Sequence, residues 1–223
     1  MKQIATTILS LLIVACGGTR STDKLLAEVR EKDQSVRQQM VALSKAIATD
    51  DSEELIDSLI LTCELMDRVD RENMAIVDSL LQGGVPAGLT ADSYSTIWIV
   101  IDHSTLEKQE QYLPIVEQMA SANLIDASDY VTLCDRVAMK RNRPQRHGTQ
   151  SVQFGTPDSL KLYIYPVEAP DQLDSLRATV GLSPMNDYIE LLTTTMGIEA
   201  RYIPTLTVEG LNHLKDQVTA ATE

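Results

Sequence analysis

Residues 23–84 read DKLLAEVREKDQSVRQQMVALSKAIATDDSEELIDSLILTCELMDRVDRENMAIVDSLLQGG, and the placing of their apolar side chains decides the fold. From Asp23 onward, Val29, Val36, Met40, Leu43 and Ile47 recur at three- and four-residue steps, with one step doubled across polar Asp33. That spacing lays a narrow apolar seam along one face of a helix. Asp50-Asp51-Ser52-Glu53-Glu54 interrupts the pattern and restarts it, with Asp51 placed to cap free amides and Glu54 to reach back. The second seam runs through Leu55, Leu59, Thr62, Met66, Val69, Asn73, Ile76 and Leu80 and stops at Gly83-Gly84-Val85-Pro86. Glycine closes a helix there and proline prevents its return. Two matched seams with a short connection predict an antiparallel helical hairpin. No 20–50-residue repeat follows, which excludes a solenoid.

Downstream, Asp92 and Ser93 resemble a cap, and Thr96-Ile97-Trp98-Ile99-Val100-Ile101 suits a buried strand as well as a buried helix. The helix reading is adopted because no turn signal separates the run from the amphipathic stretch after it. Ser104-Thr105-Leu106-Glu107 forms a second capping box, Pro114 marks a kink or restart, and residues 126–140 make a further helix. Residues 151–154 and 160–165 then alternate in polarity around Gly155-Thr156-Pro157-Asp158, which predicts a β-hairpin. Short helices are expected from Pro170 to about Gly181 and from Pro184 to Gly197, an extended segment over 201–208, and a last helix from about Glu209. The expected fold is mainly α: one helical domain over 23–223, with an N-terminal hairpin of helices and a small β-hairpin.

The amino terminus reads as an address. Lys2 precedes a short apolar run from Ile4 to Val14, and Ile13-Val14-Ala15-Cys16 matches a lipoprotein processing site. The run is too short for a bilayer, which needs about 20 residues, so residues 1–15 are expected to be a cleaved signal. Cys16 would then carry lipid and residues 16–22 would form a tether reaching about 12–15 Å. Gly17 follows the cysteine, with no aspartate to suggest retention at an inner membrane, so an outer membrane is favoured where the host has one.

The chain holds 19 basic and 32 acidic residues; loss of Lys2 leaves 18 against 32, a formal charge of −14. Such a body does not seek nucleic acid or anionic lipid over its general surface. Of three cysteines, Cys63 and Cys134 remain after lipidation; an oxidising envelope permits a bridge between them, and two buried free thiols, acting as small hydrophobes, are the favoured reading. His103, His147 and His213 lack the short spacing of a zinc site, and no metal or cofactor is expected. The Gly-x-Ser-x-Gly elbow, the phosphate-cradling Gly-x-x-x-x-Gly-Lys and His-Glu-x-x-His are all missing.

One segment stands out in so acidic a protein. Arg136, Lys140, Arg141, Arg143 and Arg146 crowd a short span without an acidic residue. Cations at a helix C-terminus answer the helix dipole, and arginine forks also suit carboxylate or phosphate groups. Asp135-Arg136, then Gln145-Arg146-His147-Gly148-Thr149-Gln150, then Tyr165-Pro166 and Arg177 with Gly181-Leu182, resembles the pattern of the uncharacterised bacterial domain-of-unknown-function family 6624. The resemblance covers roughly residues 67–192, and His103 with Gln111 corresponds to a histidine and a following glutamine of that pattern. The chain departs from it by placing His147 where tyrosine is usual and Leu176-Arg177 where two arginines are common. The family supplies no reaction.

These readings rank an envelope lipoprotein that binds a polar or anionic ligand, or a protein partner, ahead of an enzyme. Arg136, Gln145, Thr149 and Gln150 are the expected ligand-binding residues. The rival is a hydrolase or transferase with His103 or His147 as acid–base, Asp135 as a further candidate and Arg136 stabilising negative charge. A third reading is a self-associating helical scaffold built on the two seams.

Overall fold

The computed structural model describes residues 2–47, 50, 52–155 and 159–222, with side chains from residue 18 onward except 219, 221 and 222. The expected signal, its processing site and Cys16 therefore lie outside the residues whose side chains are described, as does the expected cap Asp51. The fold is mainly α-helical with one small sheet. No helix among the described residues is long and apolar enough to cross a membrane. The chain divides into two compact units, Met1–Lys108 and Gln109–Glu223.

Unit 1 holds helices α1 (Lys2–Ile47), α2 (Glu53–Leu81) and α3 (Ala91–His103). α1 includes the segment expected to be a tether, where Thr22 Oγ1 donates to the Gly18 carbonyl. The first two helices are antiparallel: Asn73 donates to the Val29 carbonyl, while Arg37, further along α1, reaches back to Asp70. Leu26, Val29 and Val36 of α1, Met74, Val77 and Leu81 of α2, and Ile97, Val100 and Ile101 of α3 are buried, and the three helices pack against one another. Burying a side chain such as Leu26 stabilises the fold by about 1.5–3 kcal/mol.

The second seam is rotated from its expected course. Thr62 and Asn73 are buried as read, but Met74, Val77 and Leu81 are buried in place of Ile76 and Leu80. Leu59 and Met66 are half-buried, as is Met40 of the first seam. The 96–101 run is helical, within α3. Its cap is Thr90, whose hydroxyl accepts from the Ser93 amide, rather than Asp92 or Ser93. The cap of α2 is Ser52.

Unit 2 contains most of α4 (Leu106–Ser121), which runs through Pro114, and α5 (Ala127–Lys140). Lys108 N approaches the Thr105 hydroxyl at the start of α4, whereas Ser104 Oγ donates to the Ile101 carbonyl, so the capping-box role read for Ser104 falls to Thr105. α5 ends in paired turns, with Arg143 N on the Ala138 carbonyl and Asn142 N on Met139. Asn142 takes φ of 53° there, the left-handed closure that asparagine tolerates.

Strands β1 (Ser151–Phe154) and β2 (Lys161–Ile164) pair antiparallel, and β3 (Ala200–Arg201) joins β2 in parallel. The expected hairpin thus gains a third strand from the extended segment. A 3-10 turn (Pro170–Gln172) leads into α6 (Leu173–Thr179), followed by α7 (Met185–Met196) and, after β3, α8 (Val208–Thr222). Ile164, Leu173 and Met185 form the core between sheet and helices, with Tyr188 and Tyr202 packed against them.

Candidate functional site

Five of the sequence-predicted residues meet around one loop of unit 2. Asp135, on the buried side of α5 and 1% exposed, accepts from the amides of Arg146, His147 and Thr149 and from the Thr149 hydroxyl, at 2.9–3.2 Å. Gln145 is fully buried: its Nε2 donates to the Gln150 and Tyr165 carbonyls, and its Oε1 accepts from the Gln150 amide. Gln150 Nε2 in turn reaches the Thr132 carbonyl and the Thr149 hydroxyl. The loop therefore borrows side chains to satisfy backbone groups that no helix or strand satisfies. Gly148 takes φ of 68°, and a Cβ there would lie 2.5 Å from Met185 Cε. Glycine is required by conformation, while the methionine tip would have to shift for any larger residue.

Arg177, from α6, locks the other side. It is 1% exposed, with Nε on the Ser183 carbonyl, Nη1 on the His147 and Gly148 carbonyls, and its guanidinium 4.7 Å above the Tyr188 ring. Burial lowers its affinity for the proton, and Tyr188, Asp174 and Asp135 oppose that. Burial pushes the Tyr188 hydroxyl up, and the charges of Arg177 and of half-buried Arg136 only partly oppose it. His147 Nδ1 lies 3.8 Å from Asp135 Oδ1, buried and without a hydrogen bond. Burial pulls this imidazole below its ordinary range, against the opposing charge of Asp135. Lys140, Arg141 and Arg143 are exposed, and Arg141 makes a two-point pair with Glu110.

His103 belongs to unit 1, and its surroundings differ. Its Nδ1 lies 3.0 Å from Oδ1 of Asp33, a carboxylate only 1% exposed. Gln34 Nε2 donates to the other oxygen at 2.7 Å, and Arg37 Nη1 stands 3.4 Å from Oδ1 without hydrogen-bond geometry. Nη2 of the same arginine donates to both oxygens of Asp70. Burial pushes the Asp33 carboxyl up, but the His103 hydrogen bond and charge, with Arg37, outweigh it and hold Asp33 below the usual range. For Asp70 burial wins, and its carboxyl is raised despite Arg37.

His103 also lines a cavity of about 500 Å³ in unit 1, together with Asp67, Asp70, Arg71, Asp78 and Lys108. Met74 and Ala75 supply an apolar part of its wall. Within this lining Lys108 Nζ bonds Asp78 at 2.9 Å. Among the described residues, His103 Nε2 has no hydrogen-bond partner and is not sealed from solvent.

Asp33, Arg37 and Asp70 were not among the expected site residues. The signal for Asp33 was in the first seam, where the step from Val29 to Val36 passes over a carboxylate at a position the helix buries. Arg37 and Asp70 gave no such sign, since charged residues are ordinary on the outer faces of helices. Cys63 and Cys134 are free thiols, one in each unit. Among the described residues no cluster of three or more His, Cys, Asp or Glu is grouped to hold a metal ion.

No curated protein and no solved structure matches the chain. The sequence pattern of a family of unknown function, DUF6624, matches residues 21–201, reaching further toward both ends than the motifs alone, and the chain belongs to that family.

Proposed function

We propose that the mature chain is a lipid-anchored envelope protein whose unit 1 binds a small polar ligand, uncharged or zwitterionic, in the cavity beside His103. The observation carrying this reading is the cavity's lining. Its volume of about 500 Å³ falls within the range of small-molecule sites. Asp67, Asp70 and Asp78 face Arg71 and Lys108 there, an excess of one negative charge with His103 neutral. That balance disfavours a free anion and suits a ligand bearing an ammonium, or hydroxyl and amide groups. It moves the expected ligand site away from Arg136, Gln145, Thr149 and Gln150. Gln145, Thr149 and Gln150 spend their polar atoms on the loop itself.

The test is calorimetric titration and thermal melting of the full-length chain in detergent with glycylglycine, N-acetylglucosamine, citrate and phosphate. Glycylglycine or the sugar should bind and raise the melting temperature, and Ala75→Trp, which fills the cavity from its exposed rim, should remove the effect. Tighter binding of citrate or phosphate, or equal binding by Ala75→Trp, refutes the reading; so does the absence of binding by every probe.

Anchoring rests on Ile13-Val14-Ala15-Cys16. Cys16→Ser should abolish incorporation of a fatty-acid analogue, and undiminished labelling would show that the amino terminus is not a lipoprotein signal.

A further inference from the structure

Asp33 is an expensive residue in its position. A carboxylate at a seam position of α1, 1% exposed among Leu26, Val29 and Val36, must be matched by donors or it destabilises the helix pair. Its donors are Gln34 and His103 Nδ1, with the Arg37 guanidinium close by as a counter-charge at 3.4 Å. The bond from Nδ1 fixes the imidazole tautomer: with the proton on Nδ1 toward Asp33, the lone pair is on Nε2. That nitrogen is the one left without a partner among the described residues, on a side chain that lines the cavity. A buried carboxylate, an oriented imidazole and an open nitrogen at a cavity form the base half of a hydrolytic triad.

Resting on the cavity reading above, we propose that His103 is a general base that hydrolyses a small neutral acyl ester in unit 1, with Asp33 as its positioning residue. The charged groups facing the imidazole are Asp33 and Arg37 from α1 and Asp70 from α2, with Asp67, Arg71, Asp78 and Lys108 around the cavity. Asp33 and Asp70 against Arg37 leave one negative charge, which a proton taken up by His103 balances. A phosphate ester would bring further negative charge toward Asp67, Asp70 and Asp78, whereas an ester carbonyl brings none in its ground state. Among the described residues no serine or cysteine bonds Nε2, and the nucleophile in this proposal is water.

The step is then as follows. Nε2 takes a proton from water as the water oxygen bonds to the carbonyl carbon, and the carbonyl π pair moves onto its oxygen. The charge of the tetrahedral oxyanion is met by Arg71 and Lys108, which line the same cavity. Collapse re-forms the carbonyl and expels the alkoxide, which takes the proton back from Nε2. The products are an acid and an alcohol, with no oxidant or reductant consumed.

The experiment measures hydrolysis of p-nitrophenyl acetate, with p-nitrophenyl phosphate beside it, by the full-length chain in detergent from pH 5 to 9. Wild type should release p-nitrophenolate from the acetate with kcat/KM rising with pH to a plateau, and should leave the phosphate ester intact. His103→Gln should bring the rate to that of buffer. Asp33→Asn should lower the plateau by about 10²–10⁴-fold while the protein still melts cooperatively, and Asp33→Glu should restore part of it. A purely structural Asp33 would shift the melting temperature without flattening the pH profile. Wild-type rates in His103→Gln, or no acetate hydrolysis above buffer, overturn the catalytic inference. If glycylglycine or the sugar still binds in that case, only the catalysis is lost; if binding is also absent, the cavity reading falls with it.

Discussion

Two buried aspartates, one in each unit, have nearly the same exposure and opposite surroundings. Asp135 is closed: four donors, three of them backbone amides, converge on its two oxygens. Asp33 is open at one remove, because one of its donors is an imidazole whose second nitrogen is unengaged at a cavity wall. A carboxylate surrounded by amides holds a loop in shape. A carboxylate that ends on a titratable ring can hold that ring ready for something else. Burial and hydrogen bonding do not separate these roles; the presence or absence of a free valence at the end of the chain of bonds does.

The largest effect that can test this contrast is on stability. Asp135→Ala strands three amides at once and should cost about 3–5 kcal/mol in denaturant unfolding. Asp33→Asn, which keeps the shape and can still donate and accept, should cost about 1–2 kcal/mol. Equal losses would mean that the two aspartates play the same structural part. Next in size, Arg177→Met leaves the His147 and Ser183 carbonyls without their donor and should cost about 1–3 kcal/mol. An unchanged midpoint would show that the loop does not depend on α6.

A smaller effect comes from pH. The folded-state value of His147 is depressed, so the unfolded chain binds more protons just below the ordinary imidazole value of about 6.5. Its contribution is therefore complete above that value and is lost as pH falls through the depressed folded-state value. Melting temperature should fall between pH 7 and 5, and His147→Gln should flatten that slope. A slope indifferent to His147→Gln would show that acid acts elsewhere. Asp33, also depressed, adds its loss only at lower pH, below the ordinary carboxylate value of about 4. The smallest effect is expected for Arg141→Met, which removes a solvent-exposed pair with Glu110; salt should erase what difference there is. A shift as large as that of Arg177→Met would break the distinction between the loop's buried arginine and the exposed ones.

Much of the helical frame was legible because it depends on local periodicity and punctuation. The two seams, the stop at Gly83-Gly84, the Gly197 closure and the β1–β2 pairing are all patterns within a few residues. Details decided by long-range packing were not. The second seam drifts toward Met74, Val77 and Leu81 where α2 packs against α3 as well as α1, and a two-helix reading sees only α1. β3 adds to the sheet with just two residues, too few to show alternation. At the candidate sites, the Gly-Thr-Gln segment announced itself through residue types, yet its polar groups turn inward to the loop. The Asp33–His103 contact joins residues 70 positions apart, and no local rule pairs them.

Asp33 has one more consequence, for how the hairpin can move. Two helices that touch only through aliphatic side chains can slide by a turn, about 5.4 Å, and find new grooves of much the same depth. A slip of that size at α1 would draw Asp33 away from His103 and leave a carboxylate without its donors in an apolar seam. The polar residue in the seam thus acts as an index mark, as a lone polar position does in a coiled coil. It permits one register of α1 against its neighbours and makes every shifted one a buried-charge defect. The amides flanking Asp33 and Asp70 should accordingly exchange with solvent only when the hairpin opens as a whole, while those near the half-buried Leu59 exchange by local fraying.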